Sequence, residues 1–240
     1  MPAARLLIEG ICRHGDAAAN MDADTRLLER IGECSSAVAA IRIYGWDKPS
    51  ITYGYHQDPS RAFDLPFCET QGIPVIRRPT GGRGILHRDD LTVAVCAPIS
   101  GRLAGLSVSD SSRLLASPIR RALELVGCPT SEVALATQKL SPRRGASYCF
   151  SLSLPGDILV DGRKAVGSAQ VRRKGLILQQ MNIPLGNAPD PLLGACFRPR
   201  ASLVPGLPVS WEVLCQQILA AYAEFVPSLL LAHGNTQYYY

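Results

Sequence analysis

No apolar run in this chain approaches the roughly 18 residues that cross a bilayer as a helix, so no membrane span is expected. The first twenty residues do not read as a secretory leader, because Glu9 interrupts Leu6, Leu7 and Ile8. The eight cysteines, at 12, 34, 68, 96, 128, 149, 196 and 215, form no CxxC pair. That removes the usual structural zinc patterns, and no metal is expected. A cytoplasmic, reducing location is expected, in which most of these cysteines act as small buried hydrophobes. No internal repeat and no heptad run is present. Strong charge bias is also missing: 25 basic against 20 acidic residues give a net charge of +5. That is too mild to argue for nucleic acid and fits an acidic protein partner equally well.

What remains is an ordinary globular composition, 47% hydrophobic and 19% charged, in a chain of 240 residues long enough to bury a sizeable core. Helices are expected at Asn20–Ile31, capped by Asn20, and at Asp110–Val126, capped by Ser109 or Asp110 and closed by Gly127. Pro118 should kink or break the second of these. A third helix, capped by Ser210, is expected at Trp211–Phe225. Strands are expected at Val38–Tyr44, Ser50–Tyr55, Leu91–Ile99, Ile158–Val160 and Leu176–Ile183. Pro129–Ser147 reads as an exposed, mobile segment, and the proline-rich stretch Pro184–Pro208 as a loop. Strands in runs with helices interspersed indicate an α+β fold, with a mixed or antiparallel sheet backed by helices.

Two stretches carry chemistry. In RRPTGGRGILHRDDL (77–91), Pro79 and Thr80 turn the chain, and Gly81, Gly82 and Gly84 let backbone amides approach an anion. Arg77, Arg78 and Arg83 add positive charge. Such a loop suits a carboxylate, phosphate or polarised carbonyl. A glycine-rich hairpin with solvated arginines is the plain alternative. The second stretch, GDILVDGRKAVGSAQVRRKGLILQQMNI (156–183), holds a hairpin turning at Asp161-Gly162. Lys164 and the small residues Gly167, Ser168 and Ala169 follow on its return side as a candidate pocket wall. His56 reads as structural.

Together these stretches resemble the lipoate–protein ligase and octanoyltransferase family, whose usual patterns are RRxTGGGxxxH or RRPTGGRAVLH, and DGRKxxGSAQxRxxGxLxHGSI. DAAANMDADTRLLERI, IRIYGWDKPSITYGYHQ and WEVLCQQILAAYAEF resemble the family's first helix, first strands and last helix, so the likeness covers about residues 14–226. It implies the biotin/lipoate ligase catalytic fold, related to class II synthetase cores. It also implies one catalytic domain over 1–240, without the C-terminal accessory domain of longer ligases. It places Arg77, Arg78, Thr80, Gly81, Gly82, Arg83, Gly84, His87, Gly167, Ser168 and Ala169 around the substrate.

Within the family, a ligase activates a free acid with ATP and Mg. An octanoyltransferase takes an acyl thioester from acyl carrier protein through a cysteine and needs no cofactor. Cys149, in the CF pair fifteen residues before Lys164, matches the cysteine of the ligase-like octanoyltransferases. A free thiol is only a few per cent ionised at neutral pH, and the Lys164 ammonium would favour the thiolate. The resemblance therefore implies octanoyl transfer from octanoyl-acyl carrier protein to a lipoyl carrier domain, such as glycine-cleavage H protein or a 2-oxoacid dehydrogenase E2. The alternatives are an ATP-dependent lipoate ligase and a non-catalytic acyl-binding homologue. Biotin ligation is disfavoured, since its GRGRxGR-type loop is missing. The basic turns at Arg83 and Arg88, and at Arg172, Arg173 and Lys174, are expected to receive acidic partners. One departure stands out: HGSI is replaced by Gln180, Met181, Asn182 and Ile183, and Met181 in place of glycine should shorten or reshape the acyl tunnel.

Overall fold

The computed structural model describes residues 4–34, 38–133, 147–154, 156–187 and 191–231. In chain order the elements begin β1 (Arg5–Gly15), α1 (Ala17–Gly32), β2 (Val38–Trp46), β3 (Ser50–Tyr53), α2 (Pro59–Ala62) and α3 (Leu65–Thr70). Next come β4 (Val75–Arg77), β5 (Ile85–His87), β6 (Asp90–Pro98), α4 (Val108–Leu125) and β7 (Thr130–Glu132). The chain continues through β8 (Ile158–Val160), β9 (Arg163–Lys164), β10 (Gly167–Arg173), β11 (Leu176–Pro184) and α5 (Trp211–Leu230). The main sheet runs β1-β2-β6-β11-β10. Its β1–β2 pair is parallel and its other pairs are antiparallel, the mixed sheet expected of an α+β fold. Two small sheets, β4-β3-β5 and β7-β8-β9, flank it.

β2, β6 and β11 are buried almost throughout, so their alternating side chains feed two cores. Ile41, Ile43, Val93, Val95, Ile177 and Met181 pack toward α4 and α5. Tyr44, Trp46, Ala94, Cys96 and Leu178 pack toward α1. A third core, around Phe63, Phe197, Tyr148 and Phe150, sits under the β4-β3-β5 sheet. Each fully buried side chain of this size contributes about 1.5–3 kcal/mol.

Several boundaries differ from the sequence expectation. α1 starts one turn early: Asp16, not Asn20, is its cap and accepts from Ala19 N at 2.9 Å. Asn20 lies buried within the helix and donates to Gly45 O. Ser107 rather than Ser109 or Asp110 caps α4, accepting from Asp110 N at 3.1 Å. Pro118 sits within the continuous helix without ending it. Ser210 caps α5 as expected, but the helix passes Phe225 and Pro227 to reach Leu230. That makes α5 long and apolar enough, by length and composition, to cross a membrane, contrary to the pattern read from the sequence. In this fold it packs against α4, β1, β2 and β6. The proline-rich loop contains a short 3-10 helix at Pro191–Cys196. Of the expected exposed segment 129–147, Thr130–Glu132 is a strand, while 134–146 lies outside the described residues, as does 232–240.

Candidate active site

Asp161 and Gly162 both adopt positive φ, at 51° and 71°, which closes the tight turn between β8 and β9. The turn sets Lys164 opposite Leu159. Its side chain is almost wholly buried, and its ammonium lies 3.8 Å from Cys149 Sγ. The ammonium also reaches Leu152 O at 3.5 Å and Asp157 Oδ2 at 2.8 Å. Burial pulls the Lys164 ammonium toward deprotonation, but the Cys149 and Asp157 charges more than offset this, and its pKa is raised. The motif comparison did not single out Asp157. The signal was available, since it directly precedes β8 and is brought to the lysine by the hairpin.

Cys149 opens a 3-10 turn and is half-buried. Its position is fixed by the glycine loop: Cys149 N donates to Gly84 O at 2.8 Å, and Gly84 N donates to Ser147 O at 2.9 Å. Gly84 is required for room rather than for a ligand. A Cβ there would lie 2.6 Å from the buried ring of Phe63. Gly167 is beside the sulfur, since a Cβ on it would be 3.5 Å from Cys149 Sγ. Gly167 and Ala169 face the cavity, whereas Ser168, alternating with them on β10, points to the other side of the sheet.

The arginines of the loop divide. Arg78, expected at the substrate, is buried and borders the cavity behind the loop. It donates to the carbonyls of Thr52, Gly81 and Arg83 and to Thr80 Oγ1, which fixes the shape of the loop. Burial lowers its pKa to about 10. Thr80 is also engaged, donating to Gln180 Oε1 at 2.6 Å. Arg77 is exposed and lies over the Tyr55 ring at 5.1 Å. Arg83 is half-buried, and at Gly81 a Cβ would meet nothing within 4 Å, so the outer side of the loop is open to a ligand.

Behind the loop lies a cavity of about 20 Å³, room for about one water molecule, bounded by Trp46, His87, Ala169, Gln180 and Asn182. His87 stacks on Trp46 with ring centroids 3.7 Å apart. Its Nδ1 lies 2.7 Å from Asp90 Oδ2, and its Nε2 lies 2.7 Å from Thr52 Oγ1. A carboxylate can only accept, so Nδ1 donates and Nε2 accepts from the threonine. Burial lowers the His87 pKa, which keeps the ring neutral. Gln180 links this wall to α1 by donating to the buried Asp24, which also pairs with Arg42 and accepts from Tyr44 Oη at 2.6 Å.

Met181, expected to shorten or reshape the acyl site, borders the cavity together with Gln180 and Asn182, and it is also buried in the α4 and α5 core. At the turn expected to dock acidic partners, the arginines divide as well. Arg172 is anchored to Leu106 O, Ser107 O and Ser111 Oγ, at 2.9, 2.8 and 2.7 Å, so it holds the start of α4. Arg88 pairs with Asp89, while Arg173 and Lys174 stay exposed.

The family model for the lipoyl protein ligase A/B catalytic domain matches residues 16–201. The octanoyltransferase LipM of Exiguobacterium sp. is 37% identical over 160 residues, covering 65% of this chain and 58% of that protein. The octanoyltransferase LipM of Geobacillus kaustophilus is 33% identical over 200 residues, covering 81% of this chain and 69% of that protein. The match thus spans about three-fifths to two-thirds of these relatives' own lengths. Among solved structures, a lipoate-protein ligase A bound with ATP superposes with a TM-score of 0.69 at 19% identity, covering 93% of this chain and 85% of that one. A chain from the bi-partite lipoate protein ligase and E2 lipoyl domain system of Thermoplasma acidophilum gives 0.66 at 17% identity, covering 92% and 84%. These two likenesses show the fold.

Proposed function

The chain belongs to the lipoyl protein ligase A/B catalytic-domain family, and on that premise we propose that it transfers an octanoyl group from octanoyl-acyl carrier protein to a lysine of a lipoyl carrier domain through an acyl group on Cys149. The observation that carries this reading is the Lys164 ammonium 3.8 Å from Cys149 Sγ, beside the glycine loop. The relatives named octanoyltransferase support the acyl group and the reaction class.

In the first half-reaction the Cys149 thiolate attacks the thioester carbonyl. The Lys164 ammonium is placed to hold the developing oxyanion. The carbon–sulfur bond to the carrier then breaks, and the carrier's sulfur leaves as a thiolate that takes its proton from solvent. In the second half-reaction the amine of the acceptor lysine attacks the acyl-cysteine, an amide forms, and Cys149 is released. One thioester replaces another, so no ATP and no cofactor is required. At about 4 Å, two unit charges interact by about 4 kcal/mol at an effective dielectric of 20, a contribution that Asp157 shares here. The acceptor would be a lipoyl domain of the H-protein or E2 kind, met in the cytoplasm.

Mass spectrometry of the protein after exposure to octanoyl carrier protein without ATP tests the reading. The expected result is one octanoyl adduct on Cys149, chased onto a lipoyl domain, and none on Cys149→Ala. An ATP requirement for loading the lipoyl domain, with no adduct on the enzyme, would establish a ligase instead.

A further inference from the structure

We propose that Asp157 is a positioning residue for the transfer reaction, its carboxylate holding the Lys164 ammonium against Cys149 Sγ while anchoring the strap at Leu152–Leu154. The inference rests on the transfer reading and deepens it.

An ammonium has three protons, and Lys164 has three acceptors for them: Asp157 Oδ2 at 2.8 Å, Leu152 O at 3.5 Å and Cys149 Sγ at 3.8 Å. The shortest contact is to Asp157, so the carboxylate, not the sulfur, fixes where the ammonium sits. The Asp157 side chain is only 13% exposed, so solvent screens the pair little. The same Oδ2 accepts from Leu154 N at 2.7 Å. One oxygen therefore sets both the cation and the strap whose Leu152 carbonyl meets it. Leu152–Leu154 belong to the sequence stretch SLSLPG, in which this chain departs from the pattern it otherwise matches.

Other charges near the hairpin are arranged elsewhere. Arg113 of α4 lies 3.9 Å from Glu132 of β7, and it faces Gly156 rather than Lys164. Arg78 and Tyr148 both respond to charge on Cys149, but Arg78 is bonded to the glycine loop and Tyr148 bonds the backbone of Val204. Asp157 is thus the one carboxylate with a described contact to the lysine. Removing its charge leaves burial, which favours the neutral amine, opposed by Cys149 alone. Lys164 should then lose its proton at lower pH.

The test uses Asp157→Asn, which keeps an oxygen to accept from Leu154 N, and Asp157→Glu, which keeps the charge. Single-turnover formation of the octanoyl-enzyme is followed from pH 6 to 10, alongside alkylation of Cys149 by iodoacetamide. The wild type should rise with pH to a plateau. In Asp157→Asn acyl-enzyme formation should fall again at the alkaline end, by about tenfold for each unit by which the lysine's proton affinity drops. Its alkylation profile should depart from that of the wild type, because the set of charges beside the sulfur has changed. Asp157→Glu should restore the plateau. If Asp157→Asn keeps both wild-type profiles, with or without a uniform loss of rate, the inference is overturned. If the wild type forms no octanoyl-enzyme while the alkylation profiles move as stated, the placement of Asp157 is supported and the octanoyl reading is what fails.

Discussion

Gly84→Ala offers the sharpest test of how the site is built. The added methyl would sit 2.6 Å from two ring atoms of Phe63 and 3.2 Å from Phe197. Carbon–carbon contact is comfortable at about 3.5–4.0 Å, so the backbone or the rings must move by about 1 Å. Both rings are fully buried and in contact with one another, at a centroid distance of 5.5 Å, so they have little room to give. Overpacking of this kind costs about 1–3 kcal/mol. For a chain of this size that lowers the melting temperature by about 2–12 °C. The backbone that would move is the one that holds Cys149 N at 2.8 Å. A displacement of about 1 Å at a reacting group costs on the order of 100-fold in rate. The assay is a melting curve together with the rate of octanoyl-enzyme formation, with Gly81→Ala as the comparison. A Cβ at Gly81 meets nothing within 4 Å, so that variant should melt as the wild type does and lose rate only through hindrance of the ligand. If Gly84→Ala melts with the wild type and acylates at its rate, the coupling of glycine loop to nucleophile is refuted.

Four further outcomes follow from the structure. Burial raises the Asp24 carboxyl above its ordinary value against the pull of Arg42, so the folded chain binds that proton more tightly than the unfolded chain. Its contribution to stability should therefore decline as pH rises from about 4 through the raised value. Denaturant titrations should show that slope in the wild type and lose it in Asp24→Asn, and identical slopes would contradict the assignment. Met181→Ala should cost about 2–5 kcal/mol by opening the α4 and α5 core, and an unchanged melting curve would contradict that packing. Arg172→Ala should lower the melting temperature, because it releases the start of α4. Reversing Arg173 and Lys174 to Glu should instead lower the transfer rate constant at low salt only, since exposed charges act on encounter and are screened over about 8 Å. A salt-independent defect in that double variant would exclude docking.

The fold class was legible because β2, β6 and β11 are largely apolar, strand-length runs and the helices are periodic. Cys149, Lys164 and the Asp161-Gly162 turn were legible because they are close in sequence and joined by one hairpin. The role of Arg78 was not. A loop arginine looks solvated until the carbonyls of Thr52, Gly81 and Arg83 are seen to surround it. The direction of Met181 depends on strand register, which one residue of slip would reverse. Arg172 was misread for a similar reason. It sits beside a tight turn, but its partners come from the segment before α4, far away in the chain. Helix starts shifted because Asp16 and Ser107 compete with equally acceptable caps a few residues later.

The bridge between Gly84 and Tyr148 also bears on when reactivity arises. It joins segments widely separated in sequence, and such contacts form late because loop closure must precede any gain from them. Until then Cys149 is one ordinary thiol among eight, free of the backbone that aims it. A growing or refolding chain should thus stay inert toward thioesters until both halves have met, and pulse alkylation during refolding should find Cys149 reactivity emerging with the slowest phase. On the proposed reading, the topology that places Cys149 also times its reactivity.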